Sequence, residues 1–467
     1  MGNDEVNNKS VTDENDVCYQ LKEKIGEGGQ GTVWTTQFDD VLVKLANKKL
    51  EKERPRYYRR LKYQQLRMDL PHLSIASPKS LLKEPDCGYV MELMKDMCPL
   101  ENMMIPEEAQ TEKIKEWYLH DGGIKRRIVL LEKIADILNR IHSKGFAFGD
   151  LSPSNIFISK DPSFDALQLI DCDNLTTVGS VEGKVCYTPK YGAPEMVNEV
   201  SGYNTLTDAW SFAVIAYQLL TLNHPLLGDM VNEGEAELEE KAFCGELPWV
   251  DDSEDHSNKT TNGLTPNLVL DKTLNALFQK TFGEKKSSWT RPGMAEWHEI
   301  LKSALHKFFK CDGCNKYYWA SKEKQCPFCQ EKKSKGFVLL KFARWEPLAE
   351  EGERIQRPKE LNLPSVVLNI GESICIDSSL HFSDKTKIKI EYNDEDSLGL
   401  TLLQGENGTV IIRKKIDKDI DDKKERIFIP LKTIPIKRIN ETREYAIHLA
   451  NLQTAHRIIT FKWSGSK

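Results

Sequence analysis

The sequence lacks a long apolar run, a strong charge of either sign and a recognisable export signal. Its most apolar stretch, SFAVIAYQLL, is far shorter than the roughly 20 residues that span a bilayer. The first residues are polar and acidic, which is wrong for a secretory signal. The net charge of −6 gives no overall attraction to nucleic acid or to an anionic membrane. We therefore expect a cytoplasmic protein with neither a membrane nor a nucleic-acid partner.

Cysteine is present but builds no disulfide framework, because the 11 cysteines are odd in number and mostly scattered. This distribution is typical of reduced thiols in a cytosol. A chain of 467 residues is too long for a single hydrophobic core. Composition and length together predict an ordinary globular protein of about two to four domains.

The apolar pattern divides the chain into five segments. Strand and helix patterns alternate in the first long domain, where the acidic stretch 230–268 looks like a surface loop. Short strands separated by Gly, Asn and Asp turns fill the last domain. The prediction is a multidomain α+β chain, with a tail at 1–17, a mixed domain at 18–309, a cysteine-containing module at 310–345, a linker at 346–360 and a sandwich-like all-β domain at 361–467.

The stretch FAFGDLSPSNIFIS places Asp150 and Asn155 inside an otherwise apolar, strand-like run. Charged groups are seldom buried without a partner or a metal. Two interpretations follow: a plain turn between two strands, or two polar side chains held over a site. The amphipathic helix pattern RIVLLEKIADILNRIHSKG, with Gly145 at its end, comes just before it.

Glycines recur in IGEGGQGTV, between two strand patterns, at positions 26, 28 and 31. Such spacing lets backbone N–H groups approach phosphates, although a merely structural hairpin explains it equally well. Further on, Lys44 lies in the apolar strand VLVKL, where it must reach water or meet an anion. Asp171 ends the apolar strand ALQLID.

In this order, the glycine hairpin, strand lysine, D-x-x-x-x-N loop and strand-ending aspartate resemble the eukaryotic-type protein kinase family. YTPKYGAPE supplies the A-P-E motif at 193–195, Asp208 matches the buried aspartate that supports the catalytic loop, and Arg291 matches the arginine that pairs with Glu195. The resemblance covers about residues 20–309 and is closest to the divergent bacterial branch. It implies a bilobal kinase fold, ATP as cofactor and a protein substrate.

The resemblance also implies a role for each site residue. Lys44 would hold the α- and β-phosphates, Asp171 and Asn155 would bind Mg²⁺, and Asp150 would accept the proton of the attacking hydroxyl. Leu93 would offer a backbone hydrogen bond to the adenine base, as would its neighbours Glu92 and Met94. The nucleotide would be held by Gly26, Gly28, Gly31, Val33, Lys44, Met91, Glu92 and Met94.

Several positions depart from the family pattern. Gly149 replaces the arginine before the catalytic aspartate, and Cys172 and Asp173 follow Asp171 in place of Phe and Gly. The helix after Lys44 shows no acid from 55 to 68 to pair with it; Glu51, Glu53, Gln64 and Gln65 are the alternatives, or the helix is displaced. An active serine/threonine kinase and a pseudokinase scaffold therefore both stay open. Retention of both metal-binding residues favours the enzyme.

Four cysteines are not scattered. Cys311, Cys314, Cys326 and Cys329 form C-x₂-C-x₁₁-C-x₂-C, a spacing that predicts a structural zinc ribbon. A redox pair or chance clustering are the alternatives. Tyr317, Tyr318 and Trp319 between the two pairs are expected to form a small core.

Partners are less constrained. The basic segment 48–67 is either a solvated helix face or a docking surface for an acidic partner. The ribbon or the β domain is expected to bind a protein partner, and kinases of this kind suggest a cognate phosphatase by analogy. Because Gly149 offers no charge to a loop phosphate, we also expect activity to be independent of phosphorylation at Thr176, Thr177, Ser180, Tyr187 or Thr188. Lys184 is a weaker substitute for the arginine.

Overall fold

The chain forms two compact units, Met1–Leu301 and Lys302–Lys467. The computed structural model describes residues 9–67, 73–104, 113–171, 175–178, 187–283, 288–320, 325–332, 336–345, 365–377, 387–394, 396–404, 411–416, 419–420, 432–437, 444–450 and 455–464. Among these residues, no helix is both long and apolar enough to cross a membrane.

The first part of unit one is a five-stranded antiparallel sheet with the strand order β3-β4-β5-β7-β6. A two-stranded hairpin precedes the sheet, and two helices lie between β5 and β6. The elements are β1 (Ser10–Thr12), β2 (Cys18–Gln20), β3 (Lys24–Gly28), β4 (Gly31–Thr35), β5 (Val41–Ala46), α1 (Lys48–Lys52), α2 (Arg54–Arg67), β6 (Ser80–Leu81) and β7 (Gly88–Glu92).

The sequence predicts a tail at residues 1–17, but Ser10–Thr12 of this segment forms β1 and pairs with β2. Val11 is buried and packs in a cluster with Tyr19, Val43 and Val90. The prediction was wrong because the segment is rich in acidic and amide side chains, which are typical of a tail, although its residue Val11 packs in the core. Residues 1–8 of the expected tail lie outside the described residues.

The rest of unit one is mainly helical, with two small sheets of the order β11-β10-β8 and β12-β9. Its strands are β8 (Met97–Pro99), β9 (Phe146–Ala147), β10 (Ile156–Ser159), β11 (Leu167–Leu169) and β12 (Thr176–Thr177). Its helices are α3 (Ile114–His120), α4 (Gly123–Ser143), α5 (Pro194–Val197), α6 (Thr205–Thr221), α7 (Asp229–Asn232), α8 (Ala236–Phe243), α9 (Pro266–Val269), α10 (Lys272–Phe278) and α11 (Met294–Ala304).

Two helices form the centre of this helical part. The apolar face that the sequence predicts for α4 is fully buried, and the helix ends before Gly145, which adopts a left-handed φ of 81°. Helix α6 is buried nearly all round, as its uniformly apolar sequence predicts. Asn204 and Thr207 form a capping box that fixes where α6 begins.

The stretch 230–268 is not the surface loop that its acidity predicts. It contains α8 and α9, and it buries Trp249, Leu264 and Asn258. The Asn258 side chain donates to the carbonyls of Leu226 and Pro248, at 3.0 and 2.9 Å, so this polar residue ties the segment to the helical core.

Unit two contains a short hairpin and two antiparallel sheets that share one core. The sheets have the orders β16-β15-β24-β23-β20-β21 and β17-β18-β19-β22. Inward-facing apolar residues of both sheets pack in a single cluster, among them Leu340, Ile390 and Phe461. The strands are β13 (Phe308–Lys310), β14 (Tyr317–Trp319), β15 (Phe337–Trp345), β16 (Val366–Asn369), β17 (Ser373–Asp377), β18 (Lys387–Asp394), β19 (Ser397–Gln404), β20 (Ile411–Ile416), β21 (Asp419–Ile420), β22 (Thr433–Lys437), β23 (Glu444–His448) and β24 (His456–Ser464).

Strand β15 does not belong to the cysteine module, where the predicted boundaries 310–345 place it. It pairs with β24 along its whole length, from Phe337 opposite Ser464 to Trp345 opposite His456. A lone strand next to a ribbon would leave its backbone unpaired, and the long sheet supplies that pairing. The predicted linker 346–360 lies outside the described residues.

Candidate active site

Lys44 is a buried lysine whose charge is neutralised within the site. It lies in the middle of β5 and is only 5% exposed. Its Nζ lies 2.8 Å from Asp171 Oδ1. A buried ammonium needs an anion because desolvation strongly disfavours an isolated charge. The sequence argument that Lys44 must meet an anion is therefore answered by a residue 127 positions away.

Asp171 follows β11 and adopts a left-handed φ of 61°, which aspartate tolerates better than most residues. The amide of the preceding residue, Ile170, donates to the carbonyl of Asn155 at 2.9 Å. This bond joins the strand that carries Asp171 to the loop that carries Asn155. Cys172 and Asp173 lie outside the described residues.

Asp150 and Asn155 belong to one rigid loop and not to a plain turn. A 3₁₀ turn at Pro153–Asn155 closes the loop, and the Asn155 amide donates to the backbone carbonyl of Asp150 at 2.9 Å. The Asp150 Oδ1 atom accepts from the amide of Thr188 at 2.8 Å and from its hydroxyl at 2.7 Å. The loop is therefore tied to a segment almost forty residues further along the chain.

The pKa of Asp150 is raised above its ordinary value. Burial is the main cause, because it disfavours the charged carboxylate. The two hydrogen bonds from Thr188 act in the opposite direction, and the nearby negative charge of Asp171 adds to the rise. A carboxylate with a raised pKa is a stronger proton acceptor, which suits a group that takes a proton from a hydroxyl.

Asp208 supports the loop from the first turn of α6, as the sequence resemblance implies. Its buried carboxylate accepts from the amides of Phe148 and Gly149 at 2.6 and 2.9 Å. His142 Nε2, at the end of α4, lies 2.9 Å from Asp208 Oδ2. Gly149 has a φ of 89°, which glycine adopts without strain.

The expected pair between Arg291 and Glu195 is present. The guanidinium makes two parallel bonds to the carboxylate, at 2.9 and 3.1 Å, and a third to the carbonyl of Leu206 at 2.7 Å. It also stacks over the ring of Trp210, 4.9 Å from the ring centre. Planar Arg–carboxylate pairing of this kind holds the A-P-E segment against the helical core.

The β3–β4 hairpin contains four glycines, and the three that are predicted to hold the nucleotide have different environments. Gly28 pairs with Gly31 at the turn, and open space surrounds the position that a Cβ on Gly28 would take. A Cβ on Gly31 would overlap the carbonyl of Leu45 on the neighbouring strand. Gly31 is thus required for sheet packing, whereas a side chain at Gly28 would meet no neighbouring atom. Gly26 makes only ordinary contact with Val33.

The strand pairing shows where other residues that are predicted to hold the nucleotide lie. Val33 lies opposite Lys44 in the β4–β5 pair, and Met91 lies opposite Leu42 in the β5–β7 pair. The exposed side chain of Glu92 pairs with Lys79 at 3.1 Å, while its backbone stays at the end of β7. Met94 is half-buried. The Leu93 amide donates to the carbonyl of Asp40 at 2.9 Å, so a hydrogen bond between Leu93 and a base would have to use the Leu93 carbonyl.

Helix α2 packs on the sheet through aromatic and apolar residues. Tyr57 and Leu61 are buried, and the Tyr58 hydroxyl lies 2.8 Å from the carbonyl of Leu82 and accepts from the amide of Gly88 at 3.0 Å. Burial raises the pKa of Tyr58 to about 12. Of the alternatives for pairing with Lys44, Glu51 and Glu53 are exposed, and the side chains of Gln64 and Gln65 lie outside the described residues.

Two residues near the site were missed by the sequence reasoning. Thr188 was considered only as a phosphorylation site, and His142 was read only as part of a helix. The position of Thr188 five residues before the A-P-E motif was an available clue. For His142 the only sign was its position in the last turn of the helix before the loop.

The four cysteines of unit two come together as their spacing predicts. Their sulfur atoms all lie within 4.8 Å of one another. Cys311 and Cys329 are 3.5 Å apart, and Cys314 and Cys326 are 3.7 Å apart. Tetrahedral thiolates at about 2.3 Å from a zinc ion are separated by about 3.8 Å, so the donor set and spacing fit zinc.

Of the three aromatic residues expected to form a small core between the cysteine pairs, Tyr318 and Trp319 are buried and Tyr317 is half-buried. Trp319 stacks on Phe308 with ring centres 4.5 Å apart. Tyr318 packs edge-on against Phe309 at 5.5 Å. Cys311, Cys326 and Tyr318 belong to one buried cluster, so the cysteine site and the aromatic core are parts of the same packing unit.

Comparison with known proteins identifies the family that the sequence resembles. Residues 19–303 match the family described as "Protein kinase domain". The chain is 27% identical over 221 residues to "Myosin light chain kinase A" of Dictyostelium discoideum, covering 46% of this chain and 70% of that protein. It is 24% identical over 232 residues to "Serine/threonine-protein kinase PknD" of Chlamydia caviae, covering 44% of this chain and 24% of that protein.

A further relative is "Serine/threonine-protein kinase pkn2" of Myxococcus xanthus, which is 33% identical over 113 residues. That match covers 22% of this chain and 13% of the relative. The chain thus spans less than a quarter of the length of each of these two bacterial relatives.

Proposed function

Because the chain belongs to the protein kinase domain family, we propose that it transfers the γ-phosphate of ATP to serine or threonine hydroxyls of a protein substrate. The observation that carries this proposal is the convergence of Lys44, Asp171, Asn155 and Asp150 from three separate segments of unit one, the strand β5, the residues after β11 and the loop 150–155. A buried lysine paired with a carboxylate, next to a second carboxylate with a raised pKa, has little use in a purely structural cleft.

Each residue has one proposed task. Lys44 binds the phosphates of ATP, and Asp171 with Asn155 offers the carboxylate and amide oxygens that suit Mg²⁺. The bound Mg²⁺ supplies charge neutralisation on the transferring phosphate. Asp150 receives the proton of the substrate hydroxyl. Since its Oδ1 already accepts two bonds from Thr188, we assign this proton to Oδ2.

Serine/threonine specificity is supported by the names of the bacterial relatives, both of which are called serine/threonine-protein kinases. The scaffold alternative is disfavoured because Lys44, Asp150, Asn155 and Asp171 are all retained. We also propose that the four cysteines hold one structural Zn²⁺. The further expectation, that unit two binds a protein partner such as a cognate phosphatase, remains part of this proposal.

The test is transfer of labelled phosphate. The full chain is incubated with Mg²⁺ and labelled ATP, alone and with a protein mixture, and modified residues are identified by mass spectrometry. Asp150→Asn should abolish transfer while leaving ATP affinity nearly unchanged, because only the proton acceptor is lost. Asp171→Ala should lose Mg²⁺-dependent ATP binding.

Asp161→Asn is the matched control, because Asp161 lies in an exposed turn of the same lobe and caps the amide of Ser163. This variant should transfer phosphate at the wild-type rate. Binding of ATP without any transfer by the wild-type protein would contradict the kinase proposal and support a scaffold. Modification only of tyrosine would contradict the serine/threonine assignment.

A further inference from the structure

The turn of the β3–β4 hairpin contains two consecutive glycines that lie in open space. Gly29 and Gln30 form the turn between Gly28, which ends β3, and Gly31, which begins β4. Among the described residues, a Cβ on Gly28 or on Gly29 would meet no atom within 4 Å. Glycine loses more conformational freedom on ordering than any other residue, so such a turn depends on hydrogen bonds to hold one shape.

Asn47, the residue after β5, makes two hydrogen bonds to this turn. Its backbone amide donates to the carbonyl of Gln30 at 2.8 Å, which extends the β4–β5 pairing by one bond beyond Gly31 and Ala46. Its side-chain amide reaches one residue further along the turn and donates to the carbonyl of Gly29. Asn47 is therefore bonded to both residues of the turn.

The same side chain also begins helix α1. Asn47 Oδ1 accepts from the backbone amides of Lys49 and Leu50, at 3.1 and 3.0 Å, as an N-cap residue does. Because Oδ1 faces two N–H groups and Nδ2 faces a carbonyl, the contacts allow a single orientation of the amide. The side chain therefore fixes the hairpin turn to the start of the helical segment that follows β5.

We infer that Asn47 is a positioning residue, whose side-chain amide holds the hairpin turn where its backbone can meet the phosphates of the nucleotide. Val33 lies opposite Lys44 in the β4–β5 pair, so the bond from Asn47 sets the turn relative to the lysine that is proposed to bind the same phosphates. A turn that is ordered in advance loses less conformational entropy when a ligand binds. The inference rests on the proposed function, in which the hairpin and Lys44 bind ATP.

The experiment separates the two roles of the Asn47 side chain by substitution in the full chain. Asn47→Ser and Asn47→Asp both keep an acceptor for the helix cap. Neither can donate to Gly29 at the same time, because a serine hydroxyl is shorter and an aspartate carboxylate carries no hydrogen. A loss that both variants share cannot come from the new charge of the aspartate.

The first measurement is nucleotide affinity by calorimetry, with MgADP and adenosine as the two probes. Both variants should bind MgADP about fivefold more weakly than wild type, which is the net value of one neutral hydrogen bond. Adenosine lacks the phosphates that the turn is inferred to meet. Its affinity should therefore stay within about twofold of wild type.

The second measurement is hydrogen exchange of the nucleotide-free protein, which reports on the turn directly. The backbone amides of residues 26–31 should exchange about fivefold faster in both variants than in wild type. The amides of α1 should exchange at the wild-type rate, because the helix cap is retained. This measurement depends neither on a nucleotide nor on phosphate transfer.

Gln37→Glu is the matched control, because it also replaces a side-chain amide by a carboxylate in the first part of unit one. Gln37 Nε2 donates to the carbonyl of Cys18 at 2.8 Å, and its Oε1 accepts from the amide of Gln20 at 2.7 Å. This variant likewise keeps the acceptor and loses the donor. It should leave both the affinity for MgADP and the exchange of residues 26–31 unchanged.

The inference is overturned if Asn47→Ser binds MgADP as wild type does, because a loss in Asn47→Asp alone would be an effect of charge. It is also overturned if adenosine binding weakens as much as MgADP binding, if residues 26–31 exchange at the wild-type rate in both variants, or if Gln37→Glu has the same effects. A wild-type protein that binds MgADP without transferring phosphate would refute the proposed function and leave these outcomes unaffected.

Discussion

At Asp150, one neighbouring hydroxyl influences how tightly the proposed base holds a proton. Burial raises the pKa of this carboxylate, and the bonds from Thr188 lower it again by stabilising the charged form. The hydroxyl of Thr188 and its amide both donate to the same oxygen. A change at Thr188 should therefore alter the pH dependence of the reaction without touching Asp150 itself.

We predict that Thr188→Val moves the acidic limb of the kcat profile to higher pH by about one unit. The substitution keeps the shape and the amide bond but removes one hydrogen bond to a charged acceptor, worth about 1.5 kcal/mol. The Asp150 pKa then rises further, and the active carboxylate form is lost earlier as the pH falls. Thr177→Val, at an exposed position, is the control and should leave the profile unchanged. An unshifted profile in the Thr188 variant would contradict the prediction.

Gly149 leads to a second prediction at the residue scale. It has no side chain to bind a loop phosphate, so removing the loop hydroxyls should leave the initial rate within about threefold of phosphatase-treated wild type. The set to replace is Thr176, Thr177, Ser180 and Tyr187, of which Ser180 lies outside the described residues, as does Lys184. Thr188 must be left in place, because its hydroxyl bonds to Asp150. A fall of about tenfold or more, which corresponds to about 1.4 kcal/mol in the barrier, would show that loop phosphate matters.

At the scale of elements, the β3–β4 hairpin contains two glycines, Gly28 and Gly31, whose surroundings differ. We predict that Gly31→Ala lowers the free energy of unfolding by about 2 kcal/mol or more, because the added Cβ overlaps the carbonyl of Leu45 and the strands must move apart. Gly28→Ala adds a Cβ in open space and should leave stability within about 0.5 kcal/mol. Urea unfolding of both variants measures the difference.

The Gly28→Ala variant also tests whether the hairpin binds the phosphates of ATP. If its backbone approaches the nucleotide, Gly28→Ala should raise the KM for ATP although the protein folds normally. A Gly28 variant with unchanged KM and unchanged stability would favour the purely structural hairpin that the sequence left open.

Elements with one strong local pattern were predictable from the sequence. Helix α4 is long and its apolar residues repeat with the period of a helix, and α6 is a long segment that is apolar nearly all round, so neither needed knowledge of distant residues. Strand β1 was missed because a single buried residue, Val11, carries its packing. The predicted bounds 310–345 assigned the residues of strand β15 to the cysteine module, since its partner β24 lies more than a hundred residues away.

In the candidate active site, too, contacts between residues that are distant in the sequence could not be predicted. That Lys44, Asp150 and Asp171 lie in one site could be anticipated because their order along the chain matches a family pattern. The contacts of Thr188 with Asp150 and of His142 with Asp208 could not. These contacts depend on how separate segments pack, and no local spacing encodes that.

At the scale of the whole molecule, unit one carries the proposed chemistry and unit two carries the cysteine site. In unit two, Cys311 and Cys326 share a buried cluster with Phe309, Phe337 and Val367. Phe337 and Val367 lie in β15 and β16 of the larger sheet. Order at the cysteine site is therefore linked by direct packing to order at that sheet. A bound metal should stabilise more than the ribbon itself.

We predict about one Zn²⁺ per chain by metal analysis and a large loss of zinc in Cys326→Ser, because this fully buried ligand cannot be replaced by solvent. A ribbon of this size has too little core to fold alone, and the metal supplies the missing free energy. The variant and the chelator-treated wild type should both lower the unfolding midpoint of unit two. Cys375→Ser removes an exposed cysteine on β17 and should change neither zinc content nor midpoint. A zinc-free wild-type protein of the same stability, with all four thiols open to a thiol reagent, would exclude a structural metal and favour the redox alternative.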